Sequence, residues 1–382
     1  MKLYSLSLAA FAAISLATSS SAQQLPLCSD VLQAARKVNA YFMKANPDPA
    51  TPTFVKKVRP SNIWTRGVYY EGLMALYEIC PEADYYNYAY DWAEFHKWGF
   101  RNGDNNRNAD DYCCAQTYID LYNLEPEPRK LRHTKALTAM LISSPQTKDW
   151  YWVDALQMGM PVLAKMGALT GDKRYFDKMY AMYRATRDQI GGGLWSAKHG
   201  LWYRDADFVP PYAEADGHPC FWSRGNGWAM ATLCRILDVI PQDEAHRKFY
   251  VDDLVAMAKG IAKCQRNDGF WNASLLCEEN YGGMEATGTS LFVYGLAWGI
   301  NHGILSRDEY LPMMLKAWNG LVSNCIRANG SLAYVQGTGS KPSDGQPATA
   351  TSTPDFEDYG TGCFLLAASE VYKLSSPENS KK

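Results

Sequence analysis

One pattern is written six times along this chain, and a chain that repeats in this way has few folds open to it. A polar or glycine-rich opening leads into a run of small and apolar residues, and a charged, two-faced stretch follows. The openings are Trp64-Thr65-Arg66-Gly67, Asp110-Asp111, Trp152-Val153-Asp154, Arg224-Gly225-Asn226-Gly227-Trp228, Glu285-Ala286-Thr287-Gly288 and Asp358-Tyr359-Gly360-Thr361-Gly362. The runs after them, such as TSLFVYGLAWGI and CFLLAASEVYKL, are apolar all round, as befits helices buried on every side. The segments between, such as HRKFYVDDLVAMAKGIAKCQ, carry one apolar face. A repeat of this kind predicts a closed or stacked helical array. Six inner and six outer helices predict an all-α fold, an (α/α)6 barrel, with all six openings around one cavity.

The repeat runs without a linker, so the 382 residues divide into a leader, 1–22, and a single expected domain, 23–382. The leader reads as a signal peptide: Lys2, a short apolar core from Leu6 to Leu16, and the small residues Ser20-Ser21-Ala22. Export to the periplasm or outside the cell is expected, with no lipid anchor at Cys28. With 38 basic against 40 acidic residues the chain has no electrostatic case for nucleic acid or an anionic membrane. Aromatic residues, at 13%, suit both a bulky core and stacking on the apolar faces of sugars. The 10 cysteines are irregularly spaced and none has the C-x2-C spacing of zinc sites. Buried free thiols are expected, with Cys28–Cys80 as the one candidate bridge.

Asp154 is the first candidate for chemistry. It lies between Trp150, Tyr151, Trp152 and an apolar run, and burial of a carboxyl favours its protonated form, fit for a general acid. The alternative is an N-cap at a helix start. Asp110 and Asp111 supply a second carboxylate. Adjacent side chains at a helix start diverge by about 100°, so one of them reaches the site and the other caps; Asp111 is preferred for the site. Arg224 offers a planar fork for a carboxylate, while Trp222 and Trp228 offer stacking faces. Together these suggest an anionic sugar. Trp64 and Arg66 line the cavity or pack against the next repeat. Glu285 serves the site or caps, and Trp271 reaches toward the rim. His199, His218 and His302 share no metal-ligand spacing, and no nucleotide loop or nucleophile elbow is present.

The strings Trp152-Val153-Asp154-Ala155-Leu156 and Trp222-Ser223-Arg224-Gly225-Asn226-Gly227-Trp228 resemble glycoside hydrolase family 105, the unsaturated rhamnogalacturonyl and related uronyl hydrolases, close to the unsaturated glucuronyl hydrolases of family 88. The likeness runs from about Trp64 to the C-terminus. It implies the same barrel and an unusual hydrolysis. Polysaccharide lyases leave a C4=C5 double bond in a terminal uronate, and enzymes of this kind hydrate that vinyl ether. By this resemblance Asp154 protonates C4 and helps deliver water to C5, and the hemiketal opens to a 5-keto uronate. Asp111 would be the second acid, Trp152 and Trp228 would stack on the sugar, and Arg224 would line the uronate pocket. No metal or organic cofactor is implied; the partner is an unsaturated oligosaccharide.

The chain departs from the family pattern in places. Arg204, in Leu201-Trp202-Tyr203-Arg204-Asp205, stands where many members carry a histidine, which would change the charge and shape of a substrate contact. Asp154-Ala155-Leu156 replaces a common Asp-Gly-Leu, and a histidine often found ahead of Trp152 is missing. Two other readings keep the barrel: ordinary hydrolysis of an intact uronic or neutral sugar, and oligosaccharide binding without turnover.

Overall fold

Helices fill most of this computed structural model, which describes residues 24–55, 57–351 and 358–377. The signal peptide expected at 1–22 lies outside the described residues. In chain order the elements are α1 (Cys28–Ala45), the hairpin β1 (Thr53–Val55) and β2 (Lys57–Arg59), α2 (Trp64–Ile79), α3 (Ala83–Phe95), α4 (Ala109–Tyr112), α5 (Ala115–Leu124), α6 (Arg132–Ser143), α7 (Asp154–Thr170) and α8 (Arg174–Asp188). A two-residue ladder, β3 (Trp195–Ser196) with β4 (Leu201–Trp202), precedes α9 (Ser223–Val239), α10 (Arg247–Ala262), α11 (Ala286–Asn301), α12 (Arg307–Gly320) and α13 (Asp358–Ser375).

The expected inner runs form a closed ring. α2 packs on α5, α5 on α7, α7 on α9, α9 on α11, α11 on α13, and α13 returns to α2. The outer helices dock on this ring, with α1 against α13, α3 against α2, α8 against α7, α10 against α9 and α12 against α11. Burial follows the pattern of the sequence. Every residue of α11 from Ala286 to Ile300 is buried, whereas α8 buries the stripe Tyr175, Phe176, Met179, Met182 and Tyr183. This is the (α/α)6 barrel.

Glycine sets how tightly the ring closes. A Cβ on Gly72 of α2 would strike the Gly362 carbonyl of α13, and one on Gly362 would strike the Val68 carbonyl. Backbone cannot swing aside as a side chain can, so only glycine fits this seam. At the other end of an inner helix, Gly171 stops α7 with φ +68, the left-handed turn that glycine adopts without penalty.

The starts of the inner helices meet at one end. Trp64 of α2 touches Trp228 of α9 and Tyr359 of α13, with ring centroids 6.3 Å and 5.3 Å apart. Gly225 of α9 lies against Val153, the residue ahead of α7, and Gly288 of α11 against Ser223 of α9. Arg66 of α2 donates to the Asp358 carboxylate of α13 over 2.7 Å, both buried. Arg66 therefore ties neighbouring repeats together.

The expected Cys28–Cys80 bridge does not form. All ten cysteines are free. Cys28 Sγ donates to the Tyr372 carbonyl over 3.7 Å, and Cys80 Sγ accepts from Arg36 at 3.0 Å while donating to Glu82 at 3.3 Å.

Candidate active site

Asp154 is the first residue of α7 and is buried, 8% exposed. Burial pushes its carboxyl above the ordinary 3.8, against the pull of Arg204 and Arg224. Buried Trp150 and Trp152 flank it in sequence. The segment after β4 runs across the start of this helix. Val153 N donates to Arg204 O over 2.8 Å, and Trp152 bridges Asp205. Arg204 is thereby delivered to the acid: its Nε donates to Asp154 Oδ2 over 3.2 Å and its Nη1 to Asp205 Oδ2 over 2.6 Å.

Asn226 holds that segment in place, a role the sequence reading missed. Its Oδ1 accepts from Trp202 N at 2.8 Å, and its Nδ2 donates to the Trp202 and Trp222 carbonyls, each at 3.0 Å. The available signal was a buried amide between two glycines in Arg224-Gly225-Asn226-Gly227-Trp228. An amide satisfies a backbone N–H and C=O at once, as no apolar residue can.

Of the two adjacent carboxylates, the structure leaves Asp110 near Asp154 and engages Asp111, the one preferred from the sequence, elsewhere. Asp111 is buried and committed to the loop before α4: it is ion-paired with Arg101, accepts from Asn102 Nδ2 at 2.7 Å, and accepts from Asn106 Nδ2. Asp110 is left only partly buried, with no side-chain donor on its carboxylate among the described residues. Burial, then the charge of Asp154, then that of Asp111 push it up to about 7, while Arg204 and Arg101 oppose the rise. Two carboxylates in one poorly solvated place cannot both ionise cheaply, so one proton is retained near neutrality.

Arg224 is buried and already bound. Nη1 donates to Gln336 O over 2.7 Å and Nη2 to Gly337 O over 2.9 Å, while the guanidinium stacks on Trp222 and Tyr359. Trp222 Nε1 donates to Gln336 Oε1 over 3.0 Å, and Gln336 Nε2 reaches the Lys341, Pro342 and Asp344 carbonyls. The guanidinium fork that the sequence assigned to a uronate thus fastens the loop around Gln336. Trp222 and Trp228 are 1% and 0% exposed, so their faces are covered by protein. Trp152, expected to stack on the sugar, is 6% exposed and belongs with the covered rings, which leaves Trp64 partly exposed at the start of α2.

The other candidates separate from the site. Glu285 caps α11, accepting from Thr287 N at 2.8 Å and Gly288 N at 2.6 Å. Trp271 is buried and donates to Ile261 O at 2.8 Å, so it belongs to the core instead of the rim. His199 contacts Ser196, His218 pairs with Asp216, and His302 stacks on Trp298. A cavity of about 1080 Å³ lies elsewhere. It opens where the inner helices end and is lined by Glu71, Asp120, Lys165, Arg235, Asp238 and Glu370, among others.

Comparison with known proteins decides the family. The family described as Glycosyl Hydrolase Family 88 matches residues 34–375. The chain belongs to it. This family-88 chain is 34% identical over 332 residues to an unsaturated 3S-rhamnoglycuronyl hydrolase of Formosa agariphila, covering 81% of the chain and 84% of that relative. A solved family 88 structure from Bacteroides vulgatus is 34% identical with a TM-score of 0.83, over 91% of this chain and 99% of that one. A possible family 105 member from Salmonella enterica, at 21% identity, shares the fold with a TM-score of 0.72 over 92% and 95% of the two chains. The protein is a glycoside hydrolase, and the family 105 and 88 resemblance read from its two central motifs holds.

Proposed function

We propose that this hydrolase removes a 4,5-unsaturated uronic acid from the non-reducing end of saccharides released by polysaccharide lyases. The observation that carries the reading is the carboxyl pair Asp110–Asp154 at the starts of α4 and α7, one carboxyl without a donor among the described residues and one held by an arginine. In this reading Asp154 gives its proton to C4 of the vinyl ether, and the positive charge that develops at C5 is taken by water. The water loses a proton back to the Asp154 carboxylate, and the hemiketal opens to the 5-keto uronate and the shortened saccharide. Asp110 adjoins that step as the second carboxyl and favours retention of a proton in the pair. Trp64, partly exposed at the start of α2, is the face left for the sugar. The name of the Formosa agariphila relative makes an unsaturated rhamnoglycuronyl saccharide the first substrate to try. The signal-like residues Lys2, Leu6 to Leu16 and Ser20-Ser21-Ala22 support an enzyme that meets this substrate after export.

The test follows the ultraviolet absorbance of the conjugated double bond while the enzyme meets a panel of lyase-generated saccharides. Loss of absorbance with wild type and not with Asp154→Asn is the expected result. Cleavage of intact glycosides with the double-bond signal untouched would overturn the reading in favour of ordinary glycoside hydrolysis.

A further inference from the structure

We propose that Arg204 anchors the carboxylate of the substrate and, by engaging it, releases Asp154 to take up the proton used in the reaction. The inference rests on the function proposed above and concerns how the site commits to an anionic substrate. Three observations carry it. The fork expected to bind a uronate, Arg224, has both Nη atoms spent on the Gln336 and Gly337 carbonyls. Arg204 has Nε on Asp154 and Nη1 on Asp205, which leaves Nη2 without a protein partner among the described residues. Its side chain is 21% exposed, so solvent reaches it beside a buried acid. An arginine pinned on two nitrogens and open on the third is preorganised for a carboxylate.

The linkage follows from charge. Asp154 faces Arg204, with Asp205 behind it, from the segment after β4; Arg224 from α9; and Asp110 from α4, which in turn adjoins Asp111 and Arg101. Two carboxylates, Asp154 and Asp205, share the Arg204 guanidinium in the free enzyme. A third, from substrate, divides the same positive charge further and displaces water from the acid. Both effects favour the neutral form of Asp154. The proton comes from solvent and binds the Asp154 carboxylate; the substrate carboxylate stays ionised. A neutral sugar would not trigger this step, so the device selects for a uronate.

The experiment compares pH profiles of kcat/KM and kcat on an unsaturated disaccharide for wild type, Arg204→Gln and Arg204→Lys, with the methyl ester of the substrate carboxylate as a second arm. The kcat/KM profile reports the free enzyme and kcat the complex. In wild type the descending limb of kcat should lie at higher pH than that of kcat/KM. Arg204→Gln should raise KM on the order of tenfold to a hundredfold and bring the two limbs together, with Arg204→Lys recovering part of KM. The ester should cost wild type a similar factor and cost Arg204→Gln nothing more. An unchanged KM in Arg204→Gln, coincident limbs in wild type, or an ester penalty equal in both proteins would each overturn the proposal. If Arg204→Gln does not fold, the limbs and the ester arm on wild type decide alone. Wild type that leaves the double bond of every substrate intact instead overturns the proposed function itself.

Discussion

At the end of the barrel where the inner helices finish, Lys165 lies on both oxygens of Asp120 at 2.5 Å and 2.6 Å, and Arg235 holds Gln116 Oε1 at 2.9 Å. Glu71 accepts from Gln157 at 2.6 Å, and Lys373 bridges Glu370 and Glu78 at 3.0 Å and 3.1 Å. At the end where the helices begin, Asp154 shares Arg204 with Asp205, and Asp110 has no donor at all among the described residues. The cavity of about 1080 Å³ belongs to the first end, and the acid left without a donor among the described residues belongs to the second. Charges that satisfy one another hold a structure together, whereas a carboxyl kept beside another without a partner is set up to exchange a proton.

The largest effect should come from Asp154→Asn. The amide keeps the size of the carboxyl and removes its proton chemistry. Turnover should fall by roughly 10²–10⁴-fold, the usual worth of a positioned general acid, with little loss of thermal stability. Equal damage from Lys165→Met at the opposite end would break the distinction between the two ends.

Gly362→Ala tests what both ends share. The added Cβ meets the Val68 carbonyl where α13 crosses α2, and overpacking against backbone costs about 3 kcal/mol or more. Thermal unfolding should show the loss, and activity should fall only in proportion to the folded fraction.

The ring was legible in the sequence because burial on all sides demands small and apolar residues at every position, and α11 shows that demand in full. The burial of Asp154 was legible because apolar and aromatic residues adjoin it in the chain. What escaped depends on residues far along the chain. Helical geometry limits the site to one of Asp110 and Asp111, but the choice is made by Arg101, Asn102 and Asn106, which grip Asp111. Arg224 has a fork fit for a uronate, yet its partners are carbonyls more than a hundred residues away. Local spacing carries no trace of either. Nor could the spacing of Cys28 and Cys80 show that each has a different partner.

Asp110→Asn sharpens the comparison through pH. A carboxyl whose folded pKa exceeds its unfolded value binds its proton more tightly in the native state. Native stability therefore falls as pH rises from near 3.8 to about 7. The asparagine variant lacks that slope and should be more stable than wild type at pH 8, by at most about 4 kcal/mol for roughly three pKa units, and so unfold at a higher temperature. Its turnover should drop about tenfold to a hundredfold, and any limb of the rate profile near pH 7 should move. A variant no more stable than wild type at pH 8 would show that Asp110 is solvated after all.

The smallest effect should come from the far end, with Asp238→Asn. Burial and the neighbouring Glu370 push this carboxyl up to about 6, which on paper resembles Asp110. Its surroundings differ. Asp238 Oδ1 accepts from Trp298 Nε1 at 2.7 Å, a bond an asparagine oxygen can keep, and the side chain is 40% exposed. Solvent screening then reduces the charge effect to less than about 1 kcal/mol. The sign is the same: stability declines between the ordinary value and about 6, so the variant should melt slightly higher at pH 7.5 and match wild type at pH 4. Its kcat and KM should equal those of wild type at every pH. A changed pH profile of kcat would mean that the chain of Glu71, Gln157 and Arg235 between the two ends carries charge effects to Asp154, and the barrel would then have to be treated as one electrostatic unit.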